Sequence, residues 1–198
     1  MKKRLLSLVP LALLGVGALA APASAAPPNQ LSNTLGQLWT TVLETPTPQN
    51  AFGSGEPATG CWNLGGALAP LGPSGVPECT VKPGTKLFEI GNTVECSTFE
   101  GNGTTEAELR NCARAADKSA PPVTLDGRTV PLTETTTGPL HITLPADNLF
   151  GLPAGTTGLS VGDGWVAQLH PLTPGTHTVV IGSGPSAITT LIHVQPGA

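Results

Sequence analysis

Between Gly162 and Val194 the chain alternates runs of Val, Ile, Leu, Trp and Thr with Gly and Pro, and this commits it to consecutive strands. Trp165 to His170, His177 to Ile181 and Ala187 to Val194 read as strands, separated by Pro171–Thr176 and by Gly182-Ser183-Gly184-Pro185. β-Branched and aromatic residues suit a pleated, half-buried surface, while Gly and Pro supply turn geometry. Apolar residues recur at period two (Trp165, Ala167, Leu169; Val179, Ile181; Ile188, Ile192, Val194), so each strand offers one face to a core. The expected fold is mainly β: an antiparallel β-sandwich, immunoglobulin-like or jelly-roll-like, with an N-terminal helix and one short helix near residues 105–117.

Upstream, Met1-Lys2-Lys3-Arg4 is a basic start, Leu5 to Ala20 an apolar stretch, and Ala23-Ser24-Ala25 a small-residue cleavage pattern. In that order they predict a secretory signal peptide over residues 1–25, leaving one β-sandwich domain over 26–198. No second long apolar run follows, so membrane insertion is not expected. Removing those 25 residues from 198 leaves 173, with six Lys/Arg against thirteen Asp/Glu, a net charge of −7. Such a surface repels phosphate backbones, which argues against nucleic acid as a partner. The expected product is secreted and extracellular, with its oligomeric state open.

Cys61, Cys79, Cys96 and Cys112 all lie in the exported part. Four cysteines in an oxidising compartment imply two disulfides. The favoured pairing is Cys61–Cys79 and Cys96–Cys112, each closing a short loop. A four-thiolate zinc site is the alternative, but the spacings contain no C-x2-C knuckle.

The first helix is marked by Leu31, Leu35, Leu38, Trp39 and Val42, and is expected to end near the β-branched Thr40-Thr41-Val42. Gln49 to Pro77 reads as loop. Pro83-Gly84 reads as a turn between two short strands, with Phe88 and Ile90 facing the core and Glu89 facing water. Thr105-Glu106-Ala107-Glu108 is a capping box opening the second helix, whose Leu109, Cys112, Ala113 and Ala116 share one side. Leu125-Asp126-Gly127-Arg128 is a hairpin turn, and His141 to Leu144 a further strand.

A set of local patterns runs through the mature chain. They are the Trp-bearing first helix, Thr59-Gly60-Cys61, Cys79-Thr80-Val81-x-x-Gly84, Leu87-Phe88, Leu125-Asp126-Gly127, Asp163-Gly164-Trp165 and Pro171-Leu172-x-Pro174-Gly175-x-His177. Together they resemble a family of uncharacterised secreted bacterial proteins of about this size, with a disulfide-containing β-rich domain. The resemblance implies export and a β-rich fold, and carries no established activity.

Several chemistries can be weighed on residue types alone. Gly158-Leu159-Ser160-Val161-Gly162 matches the nucleophile-elbow pattern, but a strand rather than a helix is expected after it, so the match reads as chance. Glu89, Glu95 and Glu100 are candidates for paired carboxylates, the ordinary reading placing Glu89 on a wet strand face and the others in a loop. Asp126, Asp147 and Asp163 read as turn residues rather than a calcium loop. A blue-copper site lacks its methionine, since the only one is Met1. Trp39 and Trp165 fall on apolar faces, which leaves Trp62 as a candidate ligand platform.

His170, His177 and His193 are the remaining binding candidates. A simple hairpin at Pro171–Thr176 would align them in one row as a metal site. The alternation opposes this, because His177 shares a face with Val179 while His170 and His193 point away. If Leu172-x-Pro174-Gly175 instead crosses between sheets, His170 leaves the row. The favoured expectation is a non-catalytic binding or interaction module for a protein or cell-wall ligand, with no cofactor or metal. The alternative is a metal-dependent or hydrolytic secreted enzyme using histidines of the C-terminal strands.

Overall fold

A computed structural model describes residues 28–50, 52, 61–70, 78–117 and 119–197. The expected signal peptide, and Thr59-Gly60 of the patterns above, lie outside the described residues. Helix α1 spans Pro28–Glu44 and α2 Glu106–Ala116. The strands are β1 (Trp62–Asn63), β2 (Leu68–Ala69), β3 (Glu78–Val81), β4 (Leu87–Ser97), β5 (Val123–Leu125), β6 (Arg128–Thr129), β7 (Thr133–Thr136), β8 (Leu140–Thr143), β9 (Thr157–Leu169), β10 (Gly175–Ile181) and β11 (Ile188–Val194).

The fold is mainly β and built on two sheets. In the first, the order is β1-β2-β4-β9-β7, with β8 also on β9; in the second it is β3-β11-β10-β5-β6. Pairing is mostly antiparallel, with short parallel ladders between β2 and β4 and between β11 and β3. Long strands β4 and β9 run side by side from Leu87↔Leu169 to Ser97↔Ser160, with a bulge at Gly91. There a Cβ would lie 2.4 Å from Leu132 Cδ1, so a side chain would have to push the end of Leu132 aside.

The first sheet is covered on both faces. On one, Phe88, Ile90 and Val166 pack under Leu31, Leu35, Leu38 and Val42 of α1. On the other, Leu87 and Leu169 meet Val179, Ile192 and Val194 of the second sheet, and Cys96 and Val161 meet Leu109 and Ala113 of α2. Strands covered on both faces lose the simple wet/dry alternation.

That layering corrects three expectations. Glu89 lies opposite Ala167 on the inter-sheet side and is 1% exposed, not wet. Asp163 is a fully buried mid-strand residue of β9, whereas Asp126 and Asp147 do occupy turns with positive φ. Pro83-Gly84 is the expected turn between strands, but the strand after it, β4, is eleven residues long rather than short and lies in the other sheet from β3. Further, the stretch read as loop before Cys79 contains β1 and β2, α1 runs to Glu44, and Ala116 is exposed.

Local signals fare better. Glu108 N–H donates to Thr105 Oγ1 at 3.3 Å while Glu108 Oε2 accepts from Thr105 N–H at 3.0 Å, a complete capping box. Asp126 (φ 50°) and Gly127 (φ 75°) form the β5–β6 turn, the left-handed geometry that Asp-Gly favours. Cys61–Cys79 and Cys96–Cys112 are both formed, the second stapling α2 to β4. Among the described residues no helix is long and apolar enough to cross a membrane.

Candidate functional site

Strand β9 belongs to the first sheet and β10 to the second, so Pro171–Pro174 is an arch between sheets. The arch separates His170 from His177. In the second sheet, Thr176 pairs with His193 and His177 with Ile192, so the two histidines project to opposite faces. His141 sits on β8. No group of three or more His, Cys, Asp or Glu side chains among the described residues can hold a metal ion.

His177 instead fastens the arch. Its Nδ1 lies 2.7 Å from Asp126 Oδ2 and its Nε2 2.8 Å from Thr173 O. Asp126 also accepts from the Thr178 amide at 2.9 Å. Partial burial opposes the charged imidazole, but the hydrogen bonds to Asp126 and Thr173 outweigh it, and the His177 pKa is raised. The same partners overcome burial at Asp126 and lower its pKa. His193 lies on the outer surface, its Nδ1 3.0 Å from Thr176 Oγ1 and its Nε2 3.7 Å from Glu78 Oε2.

Beside this latch opens a groove of about 580 Å³ at the junction of the two sheets. Leu125, Val130, Ala167, Leu169 and Leu172 form its apolar walls, with Asp126, Arg128, Gln168 and His170 as polar neighbours. The β5–β6 hairpin supplies one side, the end of β9 and the arch the other. Its size and character, apolar with a few convergent polar groups, are those of ligand sites. Of the four binding candidates from the sequence, His170 lines it, and His177 holds its rim through Asp126. Trp62 lies elsewhere, half-buried against the α1 cluster, because β1 lays the indole onto that core.

The carboxylates divide by depth. Glu89 is fully buried and neither oxygen is hydrogen-bonded among the described residues. Burial pushes its pKa up to about 8; the Ile90 amide, near but not aligned for a hydrogen bond, tempers the rise. Glu95, expected in a loop, lies on β4 opposite Gly162, facing α1, while Glu100 occupies the exposed turn beyond. Ser160 Oγ donates a short hydrogen bond to Glu95 Oε1. Burial raises the Glu95 pKa to about 7, Ser160 opposing the rise and the charge of Glu100 adding to it.

Sequence reasoning found neither Glu95–Ser160 nor the groove as assembled sites, since both depend on pairings between distant segments. The Gly-x-Ser-x-Gly pattern, set aside as a chance match, is followed by strand as expected. It marks one face of β9 rather than an elbow. No protein-family profile matches the chain, and neither a curated protein nor a solved structure does.

Proposed function

We propose that this protein is exported and acts outside the cytoplasm as a non-catalytic binding module, its groove holding an extended apolar segment of another extracellular protein. The observation that carries the reading is the groove at the sheet junction: about 580 Å³, with Leu125, Val130, Leu169 and Leu172 as walls and Asp126 and Arg128 at the hairpin end. Apolar walls supply affinity by burial, and a few fixed polar groups orient a chain against them. Export is supported by the basic, apolar and small-residue segments of the first 25 residues, by the resemblance to secreted bacterial proteins, and by two disulfides. The mature charge of −7 argues against nucleic-acid partners. A histidine-based enzyme has less support, because the four imidazoles do not converge and His177 has both nitrogens engaged.

Panning a random peptide library against the immobilised mature protein tests this. Enriched peptides are expected to carry spaced apolar residues and to lose at least about tenfold in affinity for Leu172→Glu, roughly 1.4 kcal/mol. Peptides without apolar residues, or equal binding to Leu172→Glu, would overturn the reading.

A further inference from the structure

Strand β9 is partnered along one edge by β4, from Leu87↔Leu169 to Ser97↔Ser160. Along its other edge it changes partners. β8 covers residues 157–160 and β7 covers residues 163–166, where the ladder ends at Thr133↔Val166. Ala167, Gln168 and Leu169 continue the strand with no described strand beside them there, and all three line the groove. The segment preceding β7 lies in the other layer: Val130 donates from its N–H to Val123 O at 2.9 Å, in the second sheet. Extending the β7 register would set Pro131 against Gln168, and proline has no N–H to give to a ladder.

Two observations fix which main-chain groups face this gap. Gly162 O accepts from Thr137 N–H at 2.8 Å, so Gly162 turns its main-chain groups toward the β7 side. That direction alternates along a strand, which brings Gly164, Val166 and Gln168 to the same edge. From the opposite edge, Leu68 N–H donates to Lys86 O at 2.9 Å, turning Lys86 toward β2. Leu87 and its partner Leu169 then face each other, and Gln168 again faces away from β4. Both lines aim Gln168 N–H and C=O into the groove, and neither has a partner among the described residues. The Gln168 side chain is committed elsewhere, Nε2 donating to Leu87 O at 2.7 Å.

We propose that the groove is a strand-addition site, in which an extended segment of the partner runs beside Ala167–Leu169 and exchanges main-chain hydrogen bonds with Gln168. The inference rests on the binding-module reading above and states how its segment is held. An unpaired strand edge is a template for another strand, and half-buried main-chain groups gain most from being paired. Main-chain pairing supplies affinity in such complexes, while pockets for alternate side chains supply selectivity. Side chains turned between the sheets would meet Leu125, Val130, Leu169 and Leu172, so every second residue of the segment is apolar. At the hairpin end, Asp126 is engaged by His177, whereas the exposed Arg128 forms no ion pair among the described residues. A carboxylate on the segment complements it there.

Amide hydrogen exchange followed by NMR tests the proposal, using the mature protein and the most enriched peptide from the panning above that binds in a Leu172-dependent way. In the free protein, Gln168 N–H should exchange at least about tenfold faster than Ala167 N–H, which faces β4, and the peptide should slow it by at least about tenfold. The peptide is also made with N-methyl groups on its odd-numbered or its even-numbered amides. One of the two should bind roughly tenfold or more weakly and the other like the parent, because only one edge of a strand can pair with β9. Arg128→Glu, at an exposed position, should keep the fold and weaken binding about fivefold or more. Leu172-dependent binding with Gln168 unprotected, equal binding of both N-methylated peptides, or indifference to Arg128→Glu would overturn strand addition and leave the apolar groove standing. Protection of Gln168 in the free protein that disappears on dilution would make a second copy of this chain the occupant and overturn it as well. If no Leu172-dependent peptide is enriched, the groove reading itself falls, and strand addition with it.

Discussion

His177 Nδ1 lies 2.7 Å from Asp126 Oδ2, tying the arch between the two sheets to the turn of the β5–β6 hairpin. The other ring nitrogen meets Thr173 O at 2.8 Å. Both partners accept hydrogen bonds, so the ring satisfies them together only when doubly protonated. The rim of the groove is therefore held by a charge that is lost as the pH rises through the raised His177 value.

Folded His177 titrates above its ordinary 6.5, so its stabilisation is complete below about pH 6.5 and is lost as the pH rises through the folded value. Asp126 titrates below its ordinary 3.8, so its share is complete above about pH 3.8 and is lost as the pH falls through the lower, folded value. The latch is strongest between those limits. His177→Ala should cost roughly 1 kcal/mol in urea unfolding at mildly acid pH, and less at alkaline pH. A penalty that grows with pH would refute the latch.

Glu89 predicts a second, larger pH dependence. Its ordinary value is 4.5 and its folded value about 8, so between them the folded chain keeps a proton that the unfolded chain releases. Stability should fall as the pH rises through that window, by up to about 1.4 kcal/mol per unit. Glu89→Gln keeps the shape and removes the titration. It should unfold at higher urea than wild type at pH 7 and show a flatter profile between pH 5 and about 8. A variant less stable than wild type at pH 7 would mean that the carboxyl has a partner the native fold depends on.

Glu89 also shows where sequence reading stops. Alternation correctly put Phe88 and Ile90 together and Glu89 opposite them, but whether that opposite face is wet depends on the second sheet packing there. No local pattern encodes such a layer. The β5–β6 turn and the capping box at Thr105 were legible because their determinants lie within four residues. The β3–β11 parallel pairing joins residues more than a hundred positions apart and left no trace in either strand. The arch at Pro171–Pro174 was visible only as one of two alternatives. Of the candidate site, Ser160 stood out for its glycines, and its partner Glu95 was placed in a loop because nothing near Cys96 announces eleven residues of strand.

The Cys96–Cys112 bridge and the packing of Leu109 and Ala113 on Val161 hold α2 together against the first sheet. Cys112→Ala with Cys96→Ala should cost about 3 kcal/mol, from the freed loop of sixteen positions. Non-reduced peptide mapping should recover Cys61 with Cys79 and Cys96 with Cys112. Crossed pairs would contradict the arrangement.

The histidines lead to a further expectation. His141 lies on β8 of the first sheet, His170 just past the end of β9, and His177 and His193 project to opposite faces of the second sheet. Zinc requires three or four ligands within about 2.3 Å of one point. Calorimetric titration of chelator-treated protein with zinc should give no stoichiometric binding. Tight binding abolished by His177→Ala would revive the enzymatic alternative.

Gly162 gives the most direct test of the ring-on-glycine packing. A Cβ there would lie 2.4 Å from Trp39 Cδ1 and 2.8 Å from Nε1, well inside contact distance. The obstructing atoms belong to a rigid indole fixed on α1 and hydrogen-bonded to Thr93, so they cannot swing aside as a flexible chain end would. Gly162→Ala should therefore displace the indole, break its bond to Thr93 and cost about 1–3 kcal/mol, with a shift in tryptophan emission. Gly138→Ala is the control, because a Cβ there meets nothing within 4 Å. If both alanines behave alike, Trp39 is not seated on β9.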